Sequence, residues 1–499
     1  MQDNARTIAL DHPDCFYIDG QWTPSASTLS APTFEVLDCS TECVAARVAR
    51  ADAATAARAI DAARRAFDHG PWPRMTPAER AVYLNEIAQR LEAANDEFAR
   101  GWSIESGILQ RIAQPRIGQF LGAAFRQYAA MADTYPFVEP RRSGSGHQAY
   151  CVKEAAGVVL AIVPWNGPAA LIAYKVAPAL LAGCTVIIKP SPEAPTSAYL
   201  FAQVCDEIGL PPGVVNVVTT DREVSELMVR NPDVDKITFT GSTAAGRSIS
   251  AAAAGRIARV TLELGGKSAA LVLDDYDIDA AAQVLGKSYF GYLSGQVCHS
   301  LTRIIVPRAK HDAMVEALSA AARAMVPGDP FDDATTIGPL ATARQRETVE
   351  RYVAKGIAEG CTLAAGGQRP QHLSRGFFFE PTVFGNVDNR STIAQEEIFG
   401  PVLSVIAADS EAHAIELAND SIFGLNAVVF TADAQHALSV ARQLRTGSVG
   451  HNASRTDFSI GFGGFKQSGI GREGGVEGLE AFLESKTIVL DQELASSSA

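Results

Sequence analysis

Two hydrophobic rhythms divide the chain. Up to about residue 131 the apolar positions recur at helical spacing. An Ala- and Arg-rich pattern predicts a helix over Ala45 to Phe67, and the segment from His69 to Met75, with Pro71 and Pro73, interrupts it. A second helix then has a clear start. Thr76 is placed to cap it, Pro77 suits the first helical position, and Glu79 completes a capping box. This helix is expected to run past Arg100, and helical periodicity resumes over Phe120 to Met131. From Val158 short β-rich runs alternate with helical patterns. Strands are expected at Val158 to Val163, Thr185 to Lys189, Val214 to Val218, Lys236 to Thr240 and Val260 to Leu264. The helices between them are Ala169 to Leu181, Thr196 to Ile208 and Ala244 to Ala254. After Leu271 the style repeats, with a strand at Arg303 to Val306 and helices at Asp312 to Met325 and Arg344 to Glu359. Such alternation predicts an α/β fold, a mostly parallel sheet with helices on both faces.

Length and composition narrow the class. At roughly 100–200 residues per domain, the 499 residues make two to four domains. Hydrophobic residues are 47% and charged residues 20%, which excludes collagen-like and broadly disordered chains. The net charge is −13. The adjacent basic pairs that stand out, Arg64-Arg65 and Arg141-Arg142, make no cationic surface, so no nucleic-acid partner is expected. The best apolar stretches, Ala155 to Val163 and Val176 to Ile188, are short of the ~18 residues a spanning helix needs, and the second contains Pro178 and Gly183. No membrane partner is expected. The N-terminal residues show no cationic region followed by an apolar run. Cys151, Cys184, Cys205 and Cys361 read as small core residues, and Cys39 with Cys43 lacks a second ligand pair, so no metal site is expected. A reducing, cytoplasmic location is the simplest reading.

Four segments offer chemistry. Gly295-Gln296-Val297-Cys298 reads as a tight turn that would bring backbone amides to a thiol; a thiol there is either a nucleophile or one more core cysteine. Glu263 ends a strand before Gly265-Gly266, where a carboxylate is either a general base or a solvated turn residue. Asn166, after Pro164-Trp165, can donate to an oxyanion or simply to its own loop. The run Thr240-Gly241-Ser242-Thr243 through Gly246-Arg247-Ser248 follows a strand and opens a helix, a place suited to phosphate. It departs from G-x-x-x-x-G-K-[ST] at Arg247 and is not G-x-G-x-x-G.

Together with Lys189-Pro190-Ser191, Glu396 to Val402 and Gly463 to Gly469, these segments stand in the order and spacing of one family. The chain resembles the aldehyde dehydrogenase superfamily over nearly its whole length, in its hydrolytic rather than coenzyme-A-acylating form, and the Walker-like reading falls. The resemblance implies that Cys298 is the nucleophile, that Asn166 and the Cys298 amide hold the oxyanion, and that Glu263 activates the water that hydrolyses the thioester. It implies cofactor contacts from Ile162, Trp165, Lys189, Gly241, Ser242, Leu264, Glu397 and Phe399. NAD is the expected cofactor, with NADP open because Pro192 stands three residues after Lys189, where NAD-preferring members often have a glutamate, and Glu193 follows it.

The resemblance also implies three parts: a Rossmann-type dinucleotide-binding domain (1–134 and 154–264), a catalytic domain (265–450) and a small β oligomerisation arm (135–153 and 487–499). Residues 451–486 return between the first two. A dimer or tetramer is expected. Leu171, Tyr174, Val297, His299 and Phe462 match the substrate tunnel wall, a mostly apolar set with no lysine or arginine, although Arg455 is placed near the mouth. A medium-sized hydrophobic aldehyde, aromatic, terpenoid or long aliphatic, is therefore the expected substrate. His299 replaces the usual small residue after the nucleophile and is read as pocket wall ahead of a thiol-tuning role. Two other readings are a cofactor-independent thiol esterase and an NADP-preferring semialdehyde dehydrogenase.

Overall fold

The structure is a computed structural model, and it describes residues 6–25, 32–455, 457 and 459–492. Residues 493–499 of the expected arm, and residues 1–5 and 26–31 of the N-terminal block, lie outside the described residues.

The first sheet has eight strands. Its parallel centre runs Val215–Val217, Thr185–Pro190, Val158–Val163, Lys236–Thr240, Arg259–Glu263 across the sheet. In chain order that is 3-2-1-4-5, the doubly wound pattern, and the order reverses between Val158–Val163 and Lys236–Thr240. Every residue of those two strands is buried, which is why they read as continuous apolar runs rather than as alternation. Helices Pro168–Ala182 and Thr196–Glu207 cover one face, and Ala53–His69 with Thr243–Ala254 cover the other. A short strand, Gly469–Ile470, adds antiparallel to Arg259–Glu263 and sets Gly469 opposite Glu263. The segment 451–486 therefore reaches the edge of this sheet.

A second sheet of seven strands contains Ser268–Val272, Leu301–Pro307, Val402–Ala408, Asn426–Phe430 and Ser448–His451, all in parallel register with their neighbours. It begins five residues after Glu263, so the Gly265-Gly266 link is the joint between the two sheets. A three-stranded antiparallel sheet pairs Val138–Arg142, Gln148–Ala155 and Leu483–Leu490.

The helix expected over Ala45 to Phe67 is half right. Val44–Ala49 is a strand paired with Thr33–Leu37, and the helix begins at Ala53, capped by Asp52. Ala- and Arg-rich sequence favours helix, but Ala45, Val48 and Ala49 bury as part of a strand paired with Thr33–Leu37 instead, a tertiary override of propensity. The capping box at Thr76 and Glu79 is present. That helix stops at Ala93, and separate helices occupy Asn95–Ser106 and Gln110–Thr134, the break falling at left-handed Gly107. Cys184, Cys205 and Cys361 are buried, whereas Cys151 is half-buried on the three-stranded sheet. The last strand of that sheet starts at Leu483, before the expected boundary at 487. Among the described residues no helix is long and apolar enough to cross a membrane.

Candidate active site

The switch point of the first sheet opens onto a cavity of about 400 Å³, between the two large sheets. It is lined by Asn166, Glu263 and Cys298, and by Trp165, Gly241, Ser242, Leu264, Glu397 and Phe399. Leu171, Tyr174, Val297, His299 and Phe462 line it too. Of the residues singled out in the sequence, Ile162 and Lys189 stand back from the cavity as paired neighbours near the ends of their strands, and Arg455 is exposed outside it.

Cys298 sits after a backbone turn that its neighbours force into an uncommon shape. Leu293, Ser294 and Gly295 have φ of 52°, 53° and 73°, conformations that cost of order 1–3 kcal/mol for the non-glycine residues. Side chains hold the turn in place. Ser294 Oγ donates to the Gly338 carbonyl at 2.7 Å. The fully buried Gln296 amide donates to the Leu293 carbonyl at 3.0 Å and accepts from the Ala341 N–H at 2.9 Å. Asn166 Nδ2 donates to the Gln296 carbonyl at 3.0 Å, which fixes the asparagine amide against the thiol loop. The Asn166 carbonyl in turn accepts from the Trp102 indole at 2.8 Å.

Two glycines let the joint close. A side chain at Gly265 would collide with Glu397 Oε2, and one at Gly266 with the Cys298 carbonyl. Neither glycine has a positive φ, so it is close approach rather than backbone freedom that excludes larger residues. The Gly266 N–H donates to Glu397 Oε1 at 3.0 Å. Phe399, itself at φ 58°, packs edge-on to Trp165 with ring centres 5.4 Å apart. Gln345 pins this loop by donating to the Ile398 and Phe399 carbonyls.

Glu263 is only 2% exposed, and neither carboxylate oxygen has a hydrogen-bond partner among the described residues. A side chain at Gly463 would come within 2.6 Å of Glu263 Oε1. Burial raises the Glu263 carboxyl well above its ordinary range; the Glu473 carboxylate adds to this, while Lys175 and Arg472 work against it. Lys175 and Glu473 form an ion pair at 0% and 3% exposure, with Lys175 also donating to Thr240 Oγ1 at 2.7 Å. Burial likewise pushes the Cys298 thiol up, helped by Glu397 and Glu263. Glu397 is raised to about 7 by burial, against the Gly266 N–H and Lys267. Burial lowers Lys189 to about 8, while Glu193 and Asp221 oppose the change. His299 Nδ1 is 3.9 Å from Cys298 Sγ. Its ring packs edge-on to Phe462, and burial with the Arg116 charge lowers it to about 4. His299 is thus neutral near pH 7 and forms part of the wall.

Sequence reasoning missed several members of this site. Lys175 and Glu473 lie 298 positions apart in a chain otherwise read for local motifs. Lys175 stood in an apolar helical run, where a lone lysine was the available signal. The five expected wall residues include no arginine, but the wall extends beyond them: Arg116 and Arg344 also line the cavity. Arg116 escaped because it comes from the Gln110–Thr134 helix, which carries none of the recognised motifs.

A doubly wound sheet with a mainly apolar cavity at its switch point, into which a few polar groups converge, defines a Rossmann-type α/β enzyme. The chain belongs to the aldehyde dehydrogenase family, whose model matches residues 22–488. It is 41% identical to a geranial dehydrogenase of Castellaniella defragrans, over 97% of this chain and 100% of that protein. It is 42% identical to a 3-succinoylsemialdehyde-pyridine dehydrogenase of a Pseudomonas species, over 95% of this chain and 98% of the relative. Among solved structures, a Mycobacterium tuberculosis aldehyde dehydrogenase complexed with NAD+ superposes with a TM-score of 0.93 at 42% identity, covering 97% and 99% of the two chains. The chain is an aldehyde dehydrogenase that oxidises aldehydes to acids.

Proposed function

We propose that the substrate is a medium-sized aldehyde with an apolar body, and that Cys298, Asn166 and Glu263 carry the chemistry in two covalent steps. The observation that supports this most is that a thiol, an anchored amide donor and a carboxylate with no hydrogen-bond partner among the described residues surround one mainly apolar cavity. The Cys298 sulfur bonds to the aldehyde carbon as its proton passes by way of Glu263 to solvent water, which leaves Glu263 ionised for the second step. The new alkoxide oxygen accepts hydrogen bonds from the Asn166 amide and the Cys298 N–H. NAD+, when bound, supplies the acceptor for the hydride that leaves this carbon. Glu263 then takes a proton from water, whose oxygen displaces the Cys298 sulfur from the thioester and releases the acid.

The residues present fit the cofactor. Gly265 and Gly266 leave room beside Glu397, and the first amides of the helix Thr243–Ala254 have no intrahelical partner. Ser242 caps that helix through Ala245 N at 3.3 Å and brings its own backbone to the cavity. Lys189, paired with Ile162 near the end of its strand, has no hydrogen-bond partner for Nζ among the described residues, which supports a role toward a ribose hydroxyl. Glu193 and Asp221 put negative charge near Lys189, which disfavours a 2′-phosphate and supports NAD over NADP. In this reading 1–134 with 154–264 is the dinucleotide-binding part, 265–450 the catalytic part, and the three-stranded sheet of 135–153 and the chain after 487 an oligomerisation arm in a dimer or tetramer. Location in the cytoplasm belongs to the same reading.

The apolar body follows from Phe120, Leu171, Tyr174, Tyr292, Val297 and Phe462, which supply much of the cavity wall. The geranial and pyridine-bearing semialdehyde named for two relatives are consistent with it. Turnover of octanal and 4-methylbenzaldehyde, compared with succinic semialdehyde and betaine aldehyde, is the test. Higher kcat/KM for the first pair is expected, and preference for either of the second pair would refute the apolar assignment.

A further inference from the structure

Arg116 is an anomaly in a wall of rings. Its side chain is half-buried, lines the cavity and lies 4.4 Å over the Tyr292 ring centre and 5.9 Å over that of Phe120. Its charge is felt at Tyr292 and at His299, the residue after the nucleophile, which places it beside the thiol loop and not out in solvent. Among the described residues no carboxylate lies within 4.0 Å of it, and no hydrogen bond engages its guanidinium. Two carboxylates of the cavity are engaged elsewhere, Glu473 by Lys175 and Glu397 by the Gly266 N–H, and the third, Glu263, makes no hydrogen bond to Arg116 among the described residues. Arg344, the other arginine of the wall, follows the helix start at Ala343 beside Gln345, which holds the 398–399 carbonyls on the cofactor side.

The Tyr292 and Phe120 rings flank the guanidinium, and among the described residues its N–H groups have no protein acceptor. A partly desolvated arginine with an open edge suits a planar bidentate acceptor, above all a carboxylate. We propose that Arg116 is a specificity-determining residue that binds a carboxylate carried at the far end of the substrate's apolar body. The preferred substrates are then aromatic or extended aliphatic aldehydes with a terminal acid group. The inference rests on the assignment of this cavity as the substrate site.

The test compares 4-formylbenzoate with 4-methylbenzaldehyde, which differ at the end away from the aldehyde, in wild type, Arg116→Gln and Arg116→Lys. The quantity read is the ratio of the two kcat/KM values within each enzyme. Wild type is expected to favour 4-formylbenzoate, mainly through KM, and Arg116→Gln should reduce the ratio about 10- to 100-fold, the effect of losing a charge-assisted bidentate contact. Arg116→Lys should fall between. In wild type alone, raising salt from 50 to 500 mM should lower the ratio, so the inference can be judged even if Arg116→Gln does not fold. A wild-type ratio below one, or one that neither Arg116→Gln nor salt changes, overturns the inference while leaving the apolar-body reading intact. Arg116-dependent oxidation of 4-formylbenzoate without turnover of 4-methylbenzaldehyde or octanal supports the inference and refutes that reading. Failure of all three aldehydes overturns both.

Discussion

Replacing Glu263 with glutamine separates the two covalent steps and tests the electrostatics of the site at once. The substitution keeps shape and volume but removes the base for thioester hydrolysis. General-base catalysis contributes typically about 10²–10⁴-fold, or roughly 3–5 kcal/mol of barrier at about 1.4 kcal/mol per factor of ten. Stopped-flow absorbance at 340 nm should show a burst near one NADH per active site and then a steady rate reduced by that factor. Stability should move the other way. Among the described residues neither Glu263 oxygen has a hydrogen-bond partner, and burial with Glu473 raises its carboxyl well above the ordinary range. A carboxylate raised on folding gives a contribution that is fully present below its unfolded pKa of about 4.3 and is lost as pH rises through the folded value. The uncharged glutamine escapes this loss. Its melting temperature should match wild type near pH 4 and exceed it by an amount that grows with pH. Steady turnover near wild type would remove Glu263 from the base role, and a melting-temperature gap that shrinks with rising pH would refute the buried, unpartnered carboxylate.

Three further substitutions address the supporting structure. Lys175→Met leaves Glu473 buried without its cation and should cost about 3–5 kcal/mol, measured by urea unfolding; adding Glu473→Gln should recover much of that loss, and a near-neutral single variant would contradict the ion pair. Asn166→Ala removes the amide donor and should lower kcat by about 10²–10³-fold, while thiol alkylation shows Cys298 still present. Gly265→Ala forces Glu397 aside and should raise the KM for NAD more than that for aldehyde; equal effects on both would argue against Glu397 as a cofactor contact.

Much of this was legible in the sequence, for physical reasons that differ from place to place. The strands at 158–163 and 236–240 are buried on both faces and so appear as unbroken apolar runs. Their carboxyl ends placed Asn166 and Ser242 at one crevice, and the Gly265-Gly266 joint marked Glu263. The family resemblance supplied the roles. What the sequence hid depended on distance along the chain or on tertiary pairing. Val44–Ala49 looks helical by composition and becomes a strand only because Thr33–Leu37 lies beside it. Glu473 reaches Lys175 only after the segment 451–486 has crossed to the first sheet. Arg116 lies in an amphipathic helix whose other residues gave no reason to place it near the nucleophile, and its approach to the Tyr292 ring exists only in three dimensions.

The central claim is that Cys298 performs covalent oxidation of an aldehyde with NAD. The most direct measurement is mass spectrometry of Glu263→Gln mixed with NAD and octanal, run beside the same protein carrying Cys298→Ala as well. The account predicts an acyl adduct of octanal mass less two hydrogens on the peptide that contains Cys298, formed with one equivalent of NADH and absent from the double variant. An adduct on another residue, or NADH formation that persists without Cys298, would contradict it.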